Sequence, residues 1–296
     1  MSKKKKIQLE SVKRFLSFVL LSLVLAISIC AVGYVIFFRT VFARDIPSVL
    51  QENASLELSD TSSQVNSSKQ LPKVAIIIDD LGYNKKRDIR FLAFPHVLTY
   101  SFLPSAPYAG KLEKIAFDSG KTVLLHLPLE PSGKKWNPGP KAIYLSDSPV
   151  EQRKKFEDAL AYVPHATGVN NHMGSLFTTD SRAMARILTL IKEHGLFYID
   201  SITTPDSKGF KIAGELGLYT AQRSVFLDNS QVETDICLQL KKLVKIAVLR
   251  GRAIGIGHPH HATYQALKHC IPLYVDRVLF VSVREMCRVS EVKTEN

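Results

Sequence analysis

Apolar and polar positions divide the chain into three stretches. Residues 15–38 carry no charged side chain over 24 positions, residues 45–72 are rich in Ser, Gln, Asn, Asp and Glu, and the remainder alternates short apolar runs with amphipathic segments. An uncharged run of this length is enough to cross a bilayer as a helix, whereas a cleavable signal peptide usually has a shorter apolar core. We therefore expect an uncleaved transmembrane anchor at 15–38, with cleavage after Ala43 as the alternative.

The flanks of the apolar run predict its orientation. Residues 1–14 hold six Lys or Arg against one Glu, a surplus of five that leaves +7 of the net charge of +12 for the rest. Because positive flanks stay in the cytoplasm, we expect a single-pass protein of the inner membrane with its folded domain in the periplasm or outside the cell. The polar composition predicts a flexible linker at 39–71, then a folded domain at 72–290 and a short tail at 291–296.

Beyond residue 72 the pattern alternates between strand and helix periodicity. Predicted strands lie at 74–79, 97–102, 122–127, 167–170, 196–200, 225–228, 253–257 and 278–283. Predicted helices lie at 85–94, 109–118, 150–162, 180–193, 234–250 and 263–268, and residues 205–220 fit neither pattern. Seven or eight βα units in one domain predict an α/β fold, a distorted or incomplete (β/α) barrel of seven to eight parallel strands.

The first predicted strand runs directly into two carboxylates. The segment KVAIIIDDLGYN at 73–84 places five apolar residues before Asp79 and Asp80. Such a β-branched run is typical of a strand buried on both faces. Two adjacent carboxylates at its end cannot both be buried and ionised without a cation or hydrogen-bond donors. The pair is therefore either a metal ligand beside a general base or a surface turn that ends the strand.

Polar side chains follow the other predicted strands at the same end. These are His126 and Glu130 after the third strand, Asn170, Asn171, His172 and Ser175 after the fourth, Asp200 and Ser201 after the fifth, Asp228 after the sixth and His258 after the seventh. In (β/α) barrels the loops at the carboxyl ends of the strands form the active site. We therefore expect one site at this rim, where Asp200 and Asp228 either cap helices or orient the histidines.

Cysteine spacing and charge exclude some classes of function. The four cysteines, at 30, 237, 270 and 287, form no CxxC pair, so a cysteine-based zinc or redox site is not expected. The last three allow one disulfide, which the sequence leaves undecided. The chain has no zinc-finger spacing, RNA-binding signature or basic-aromatic run, so nucleic acid is not an expected partner.

Five motifs in this order, IIIDDLGY, HLPLEP, NNHMGS, YIDSITT and GIGHP, resemble the divergent polysaccharide deacetylase family. This family is a distant, NodB-related branch of the carbohydrate esterases, the enzymes that remove acetyl groups from chitin- and peptidoglycan-like polymers. The resemblance covers about residues 72–285. It implies a divalent metal, usually zinc, and a cell-envelope polysaccharide as the substrate.

The resemblance also implies roles for individual residues. Asp79 corresponds to the general base, Asp80 and His126 to metal ligands, and His258 to the general acid. The family's second histidine, four residues after the first, is replaced here by Glu130, so His172 is the natural third ligand and Glu130 a weaker alternative. The side chains expected to contact substrate or support the site are Glu130, Asn171, Ser175, Asp200 and Asp228. The family's Arg-containing motif on the fourth strand is replaced by Asn170-Asn171-His172, which leaves the substrate open.

These roles predict a membrane-anchored, metal-dependent hydrolase that removes acetyl groups from an envelope glycan. Asp79 would activate a zinc-bound water and His258 would protonate the leaving amine. The alternative is a non-catalytic envelope protein that binds glycan or a protein partner; the altered histidine motif favours it, and the retained aspartates and histidines oppose it. Phosphoester hydrolysis ranks last, because the rim motifs contain no Arg or Lys clamp. Trp136, in a Pro/Gly-rich loop, is either a sugar-stacking side chain or an ordinary packed aromatic.

Overall fold

A computed structural model of the protein describes residues 70–289. The predicted anchor at 15–38, the tail at 291–296 and nearly all of the linker lie outside the described residues. Within 70–289, no helix combines the length and apolar character needed to cross a membrane.

Ten strands join into one sheet, and helices fill most of the connections between them. The strands are β1 (Lys73–Leu81), β2 (Thr99–Phe102), β3 (Thr122–Leu129), β4 (Gly168–Met173), β5 (Phe197–Asp200), β6 (Tyr219–Gln222), β7 (Val225–Phe226), β8 (Arg252–Gly257), β9 (Leu279–Phe280) and β10 (Arg288–Val289). The α-helices are α1 (Lys85–Leu92), α2 (Ala109–Asp118), α3 (Pro149–Tyr162), α4 (Ser181–Glu193), α5 (Gly209–Glu215), α6 (Glu233–Arg250) and α7 (His261–Cys270). Single 3-10 turns occur at Phe177–Thr179, Ile271–Tyr274 and Val283–Met286.

The sheet is mostly parallel and does not close. Its strand order is β10-β6-β5-β4-β3-β2-β1-β8-β7, with β9 paired to the start of β1. Only β10, at one end of the order, runs antiparallel to its neighbour. Because β7 and β10 do not pair with each other, the sheet forms an incomplete barrel. This confirms the predicted α/β class and the incomplete barrel, with more strands than the seven or eight expected.

Strand β1 shows why the sheet is buried on both faces. Its alternate residues Val74, Ile76 and Ile78 pack under the helices, whereas Ala75 and Ile77 belong to a second apolar cluster. That second cluster also contains residues of β3, β5, β6 and β8 and the segment 281–286. Since β6 and β8 lie far apart in the strand order, their shared cluster shows that the sheet curls around an apolar interior.

The structure differs from the predicted elements at the shortest strands. Residues 205–220, which fit no pattern, contain α5 and lead into β6, and the strand predicted at 278–283 shortens to β9 followed by a 3-10 turn. The strands β6, β7 and β9 are two to four residues long. Strands this short give too few alternations for hydrophobic periodicity to identify.

A disulfide joins Cys237 of α6 to Cys270 of α7. The third described cysteine, Cys287, is free, and burial raises the pKa of its thiol to about 12. The bond settles the pairing that the sequence left undecided. Disulfides of this kind persist in oxidising compartments.

Candidate active site

The end of β1 brings two adjacent carboxylates to one cavity. Consecutive residues of a regular strand point to opposite faces, but the register of β1 against β2 shifts between Ile78 and Leu81. At the shift, Asp80 has a left-handed backbone with φ of 56°, a conformation that costs a non-glycine residue about 1–3 kcal/mol. As a result, the side chains of both Asp79 and Asp80 line the same cavity.

Three side chains from β1, β3 and β4 bring their ligand atoms together. Asp80 Oδ1 lies 3.2 Å from His126 Nε2 and 3.0 Å from His172 Nδ1, and the two ring nitrogens are 3.2 Å apart. Asp80 Oδ1 is buried without a hydrogen-bond partner. Ligand atoms about 2.0–2.1 Å from a tetrahedral zinc lie about 3.3 Å from one another. The triad of Asp80, His126 and His172 therefore fits a divalent metal such as zinc.

Asn170 of β4 connects the triad to the predicted base. Its amide nitrogen donates to Asp79 Oδ1 at 2.9 Å and Oδ2 at 3.1 Å, and its Oδ1 lies 3.1 Å from His126 Nδ1. An amide oxygen only accepts, so the proton sits on His126 Nδ1 and leaves the Nε2 lone pair free for a metal. Asn170 is fully buried. It therefore fixes both the ring of His126 and the carboxylate of Asp79.

The carboxylates and imidazoles of the cluster shift one another's pKa. Burial raises the pKa of Asp79, against the opposing charges of His126 and His258. Burial also opposes ionisation of Asp80, but His126 and His172 outweigh it and hold the pKa of Asp80 well below its usual range. For His126, burial disfavours the imidazolium, but Asp79 and Asp80 outweigh it and raise its pKa. A proton on His126 or a divalent metal would each offset the negative charge of Asp79 and Asp80.

His258, after β8, is held differently. Its Nδ1 lies 3.0 Å from Asp228 Oδ1, and its backbone N–H donates to Asp228 Oδ2. Thr263 donates to the same Oδ2 at 2.7 Å, and Nε2 of His258 is 3.9 Å from Asp80 Oδ2. Burial disfavours the imidazolium, but Asp228, followed by the charges of Asp79 and Asp80, raises the pKa of His258 to about 9. His258 is therefore protonated at neutral pH with Nε2 directed towards the triad.

A second group of ligand atoms lies beside this histidine. Asp228, His258 and His260 bring one atom each within 4.8 Å of one another. However, Nδ1 of His258 is already taken by its hydrogen bond to Asp228. This group therefore fits a metal less well than the triad of Asp80, His126 and His172.

Two of the predicted supporting residues line the cavity. Asn171 Oδ1 accepts from the Tyr198 hydroxyl at 3.0 Å and from the Ser201 N–H at 2.9 Å, which ties β4 to β5 below the cavity. Ser175 Oγ accepts from the Ser132 N–H at 2.8 Å, which joins the loops after β4 and β3. Both side chains hold the walls of the cavity in place.

Glu130 and Asp200, in contrast, do not line the cavity. Glu130 Oε2 accepts from the Leu145 N–H at 2.7 Å and so fastens the loop after β3, which removes it as an alternative metal ligand. Asp200 is buried and its Oδ2 accepts from the Phe210 N–H at 2.9 Å, at the start of α5. Asp200 therefore caps the start of α5, which is one of its two predicted roles. Asp228 instead orients His258 through the Nδ1 atom of its ring.

The cavity that joins these groups has a volume of about 540 Å³. Around its rim stand the hydroxyls of Ser132, Ser175 and Thr203, and the indole of Trp136, which is 54% exposed. Among the described residues that line it there is no Lys or Arg. The cavity therefore presents hydroxyl groups and an aromatic side chain beside the charged cluster.

The chain matches a known protein family over most of the described domain. The sequence profile of the family described as "Divergent polysaccharide deacetylase" matches residues 76–287. The chain belongs to this family. The resemblance seen in the motifs is thereby confirmed, and the family is one of hydrolases that act on carbon–nitrogen bonds.

Two sequence relatives support the same assignment, and one solved structure shares the fold. The "Uncharacterized protein YibQ" of Escherichia coli is 33% identical over 223 residues, which cover 75% of this chain and 69% of that protein. An uncharacterized protein of Haemophilus influenzae is 36% identical over 197 residues, 66% of this chain and 70% of that one. The crystal structure of the uncharacterized protein ATU2773 from Agrobacterium tumefaciens superposes with a TM-score of 0.71 at 25% identity, and covers 74% of this chain and 91% of that one.

Proposed function

We propose that the protein is a metal-dependent deacetylase that removes N-acetyl groups from a cell-envelope glycan. The observation that carries this proposal is the arrangement of the rim. The carboxylate of Asp79, bonded to Asn170, and the imidazole of His258, bonded to Asp228, lie on two sides of the convergent Asp-His-His triad. A glycan-binding protein without catalysis has no need of a base and an acid held in this way. The family membership supports the same activity.

The triad of Asp80, His126 and His172 would hold the metal. A divalent metal there supplies a Lewis acid that polarises the acyl carbonyl and makes water more acidic. The cavity beside the triad would admit both water and the substrate.

Asp79 and His258 would handle the protons. Asp79 takes the proton of the attacking water, and its raised pKa makes it a stronger base than an exposed aspartate. As the oxygen–carbon bond forms and the carbon–nitrogen bond breaks, His258 Nε2–H donates its proton to the leaving nitrogen. The products are acetate and the free amine. Asn170 and Asp228 keep the base and the acid in position throughout.

Trp136 would bind the sugar that carries the acetyl group. Its exposed indole lies on the same cavity as the triad, and the apolar face of a pyranose packs well on an aromatic ring. The hydroxyls of Ser132 and Ser175, which lie 3.0 Å apart and line the same cavity, would bond sugar hydroxyls. This favours the sugar-stacking interpretation of the Trp136 loop over a packed surface aromatic.

The location we propose is the outer side of the inner membrane, with the anchor at 15–38 holding the domain near its polymer. The disulfide between Cys237 and Cys270 supports an oxidising compartment. The basic flank at 1–14 supports the orientation.

The test is acetate release from N-acetylglucosamine oligomers and peptidoglycan by the full chain, purified in detergent and supplied with zinc. We expect turnover that is lost in Asp79→Asn and His258→Ala and kept in Glu130→Gln, since Glu130 lies outside the cavity. A wild-type protein that binds these glycans but releases no acetate would contradict the proposal and favour the non-catalytic alternative.

A further inference from the structure

A second cavity lies at the gap where the sheet fails to close. Residues of β6, β8 and β10 form its walls, and its volume is about 340 Å³. This is within the range of about 300–1,000 Å³ that is typical of small-ligand sites. It shares no lining residue with the active-site cavity. We call it the seam cavity.

Three arginines give the seam cavity its charge. Arg250 ends α6, Arg252 begins β8 and Arg288 lies on β10, and all three line the cavity. Arg252 is half-buried and donates from Nη1 to the Met286 carbonyl at 3.1 Å, which holds its guanidinium in place. Burial, and then the nearby charge of Arg288, lower the pKa of Arg252.

These cations have no acidic partner in the part of the chain that the structure describes. Within 70–289, no carboxylate oxygen lies within 4.0 Å of Arg250, Arg252 or Arg288, although the exposed arginine Arg153 pairs with two glutamates elsewhere on the surface. Gathering like charges around a concave, partly buried space is unfavourable unless an anion compensates them, and such clefts concentrate anions.

The remaining lining groups indicate the kind of anion. Gln222 and Ser224 add an amide and a hydroxyl beside the arginines, and Ile254 and Met286 form an apolar wall. The hydroxyl of Ser224 accepts from the Ile254 N–H at 3.2 Å, so its own proton is free to donate to a ligand. Several guanidinium forks with added neutral donors match the tetrahedral oxygens and double charge of a phosphate better than a single carboxylate.

We propose that the seam cavity binds a phosphoryl group through Arg250, Arg252 and Arg288. The group is either free phosphate or the phosphate of a glycerophospholipid headgroup. This site is separate from the deacetylase site and does not depend on the proposed catalytic activity. Bound headgroups would hold the open side of the sheet against an anionic surface.

The experiment is calorimetric titration of the full chain in detergent, with inorganic phosphate and with glycerol 1-phosphate, at a fixed ionic strength set by chloride. We expect saturable binding of one ligand per chain, weakened about tenfold or more in Arg252→Gln and in Arg288→Gln. Arg277→Gln is the matched control, because it removes one exposed positive charge that does not line the cavity. Arg288 is itself exposed, so its variant remains informative if Arg252→Gln disturbs folding.

The two ligands separate the two sources of phosphate. Tighter binding of glycerol 1-phosphate assigns the site to a lipid headgroup, whereas tighter binding of inorganic phosphate assigns it to the free ion. No saturable binding of either ligand, or equal weakening in Arg277→Gln, would overturn the proposal. Acetate at the same concentration serves as a singly charged comparison and is expected to bind more weakly.

Discussion

His126 and His258 lie on opposite sides of the same cavity, and their Nδ1 atoms are bonded to different partners. His126 Nδ1 faces the amide oxygen of Asn170, whereas His258 Nδ1 faces the carboxylate of Asp228. Both hydrogen bonds fix the ring and its tautomer. A neutral amide adds little charge to the ring, whereas a carboxylate stabilises the imidazolium.

The difference in partner explains how one residue type can serve two roles. On the β3–β4 side, the carboxylates that raise the pKa of His126 stand at its metal-facing side, so a divalent cation can replace the proton. On the β7–β8 side, Asp228 lies behind His258 and keeps its proton in place. The first arrangement suits the proposed metal ligand and the second suits the proposed acid. Changes to either side, and to Asp79 between them, test this comparison.

The largest loss of activity is expected from Asp79→Asn. Asp79 Oδ2 is 3.6 Å from His126 Nε2 and both its oxygens accept from Asn170. The amide cannot take a proton, so acetate release should fall by about 10²–10⁴-fold while zinc content stays near that of the wild type. A variant that lost its zinc together with its activity would show that Asp79 acts as a ligand instead.

Asn170→Ala should weaken the proposed metal site on the β3–β4 side of the cavity. It frees the ring of His126 and leaves the buried Asp79 carboxylate without its donor. Removing a residue that orients a metal ligand typically costs about 10–100-fold in metal affinity or activity. Zinc dissociation constants measured by competition with a chelator check this. Unchanged affinity would mean that packing alone sets the tautomer and position of His126.

Asp228→Asn should lower the proton affinity of His258 and leave metal binding unchanged. With a pKa of about 9, His258 keeps its proton below that pH, and the rate falls as pH rises through it. Without the carboxylate, the pKa of His258 drops and the alkaline limb of kcat/KM moves about 1–3 pH units towards acid. The pH–rate profile measures this, with zinc content as the control. An unmoved limb would contradict the assignment of His258 as the acid.

The smallest effect is expected at the rim. Trp136→Ala removes the stacking surface but touches neither histidine, so KM should rise about 2–10-fold with kcat nearly unchanged. Trp136→Phe should restore most of the affinity. Trp136 is the only tryptophan of the chain, so quenching of its fluorescence by glycan oligomers gives a second reading that needs no turnover. Absence of quenching would argue against sugar stacking there.

Much of the site is readable in the sequence, because short apolar runs mark parallel strands whose carboxyl ends meet at one rim. This reasoning brings together Asp79, Asp80, His126, His172 and His258 before any coordinates are known. It cannot show that a register shift and a left-handed Asp80 turn two adjacent carboxylates to one face. That geometry depends on pairing with β2, which no local pattern encodes.

Residues that support the site were harder to rank. Asn170 and Asn171 are neighbours with the same side chain, and the sequence analysis favours Asn171. The structure gives Asn170 the contacts to Asp79 and His126, whereas Asn171 braces β5. Because side chains alternate along β4, Asn170 lies on the same face as Gly168 and Asn171 lies on the other face. Which of the two faces meets the site depends on the curl of the sheet, which the sequence alone does not show.

The most direct test of the account is the metal content of the full chain, measured by mass spectrometry after purification with and without added zinc. We predict about one zinc per chain in the wild type and in Glu130→Gln, and loss of the zinc in His172→Ala. His172 Nδ1 lies 3.0 Å from Asp80 Oδ1, whereas the Glu130 carboxylate accepts a hydrogen bond from the Leu145 N–H. A folded wild type that takes up no divalent metal, or a His172→Ala variant that keeps it, would contradict the central claim.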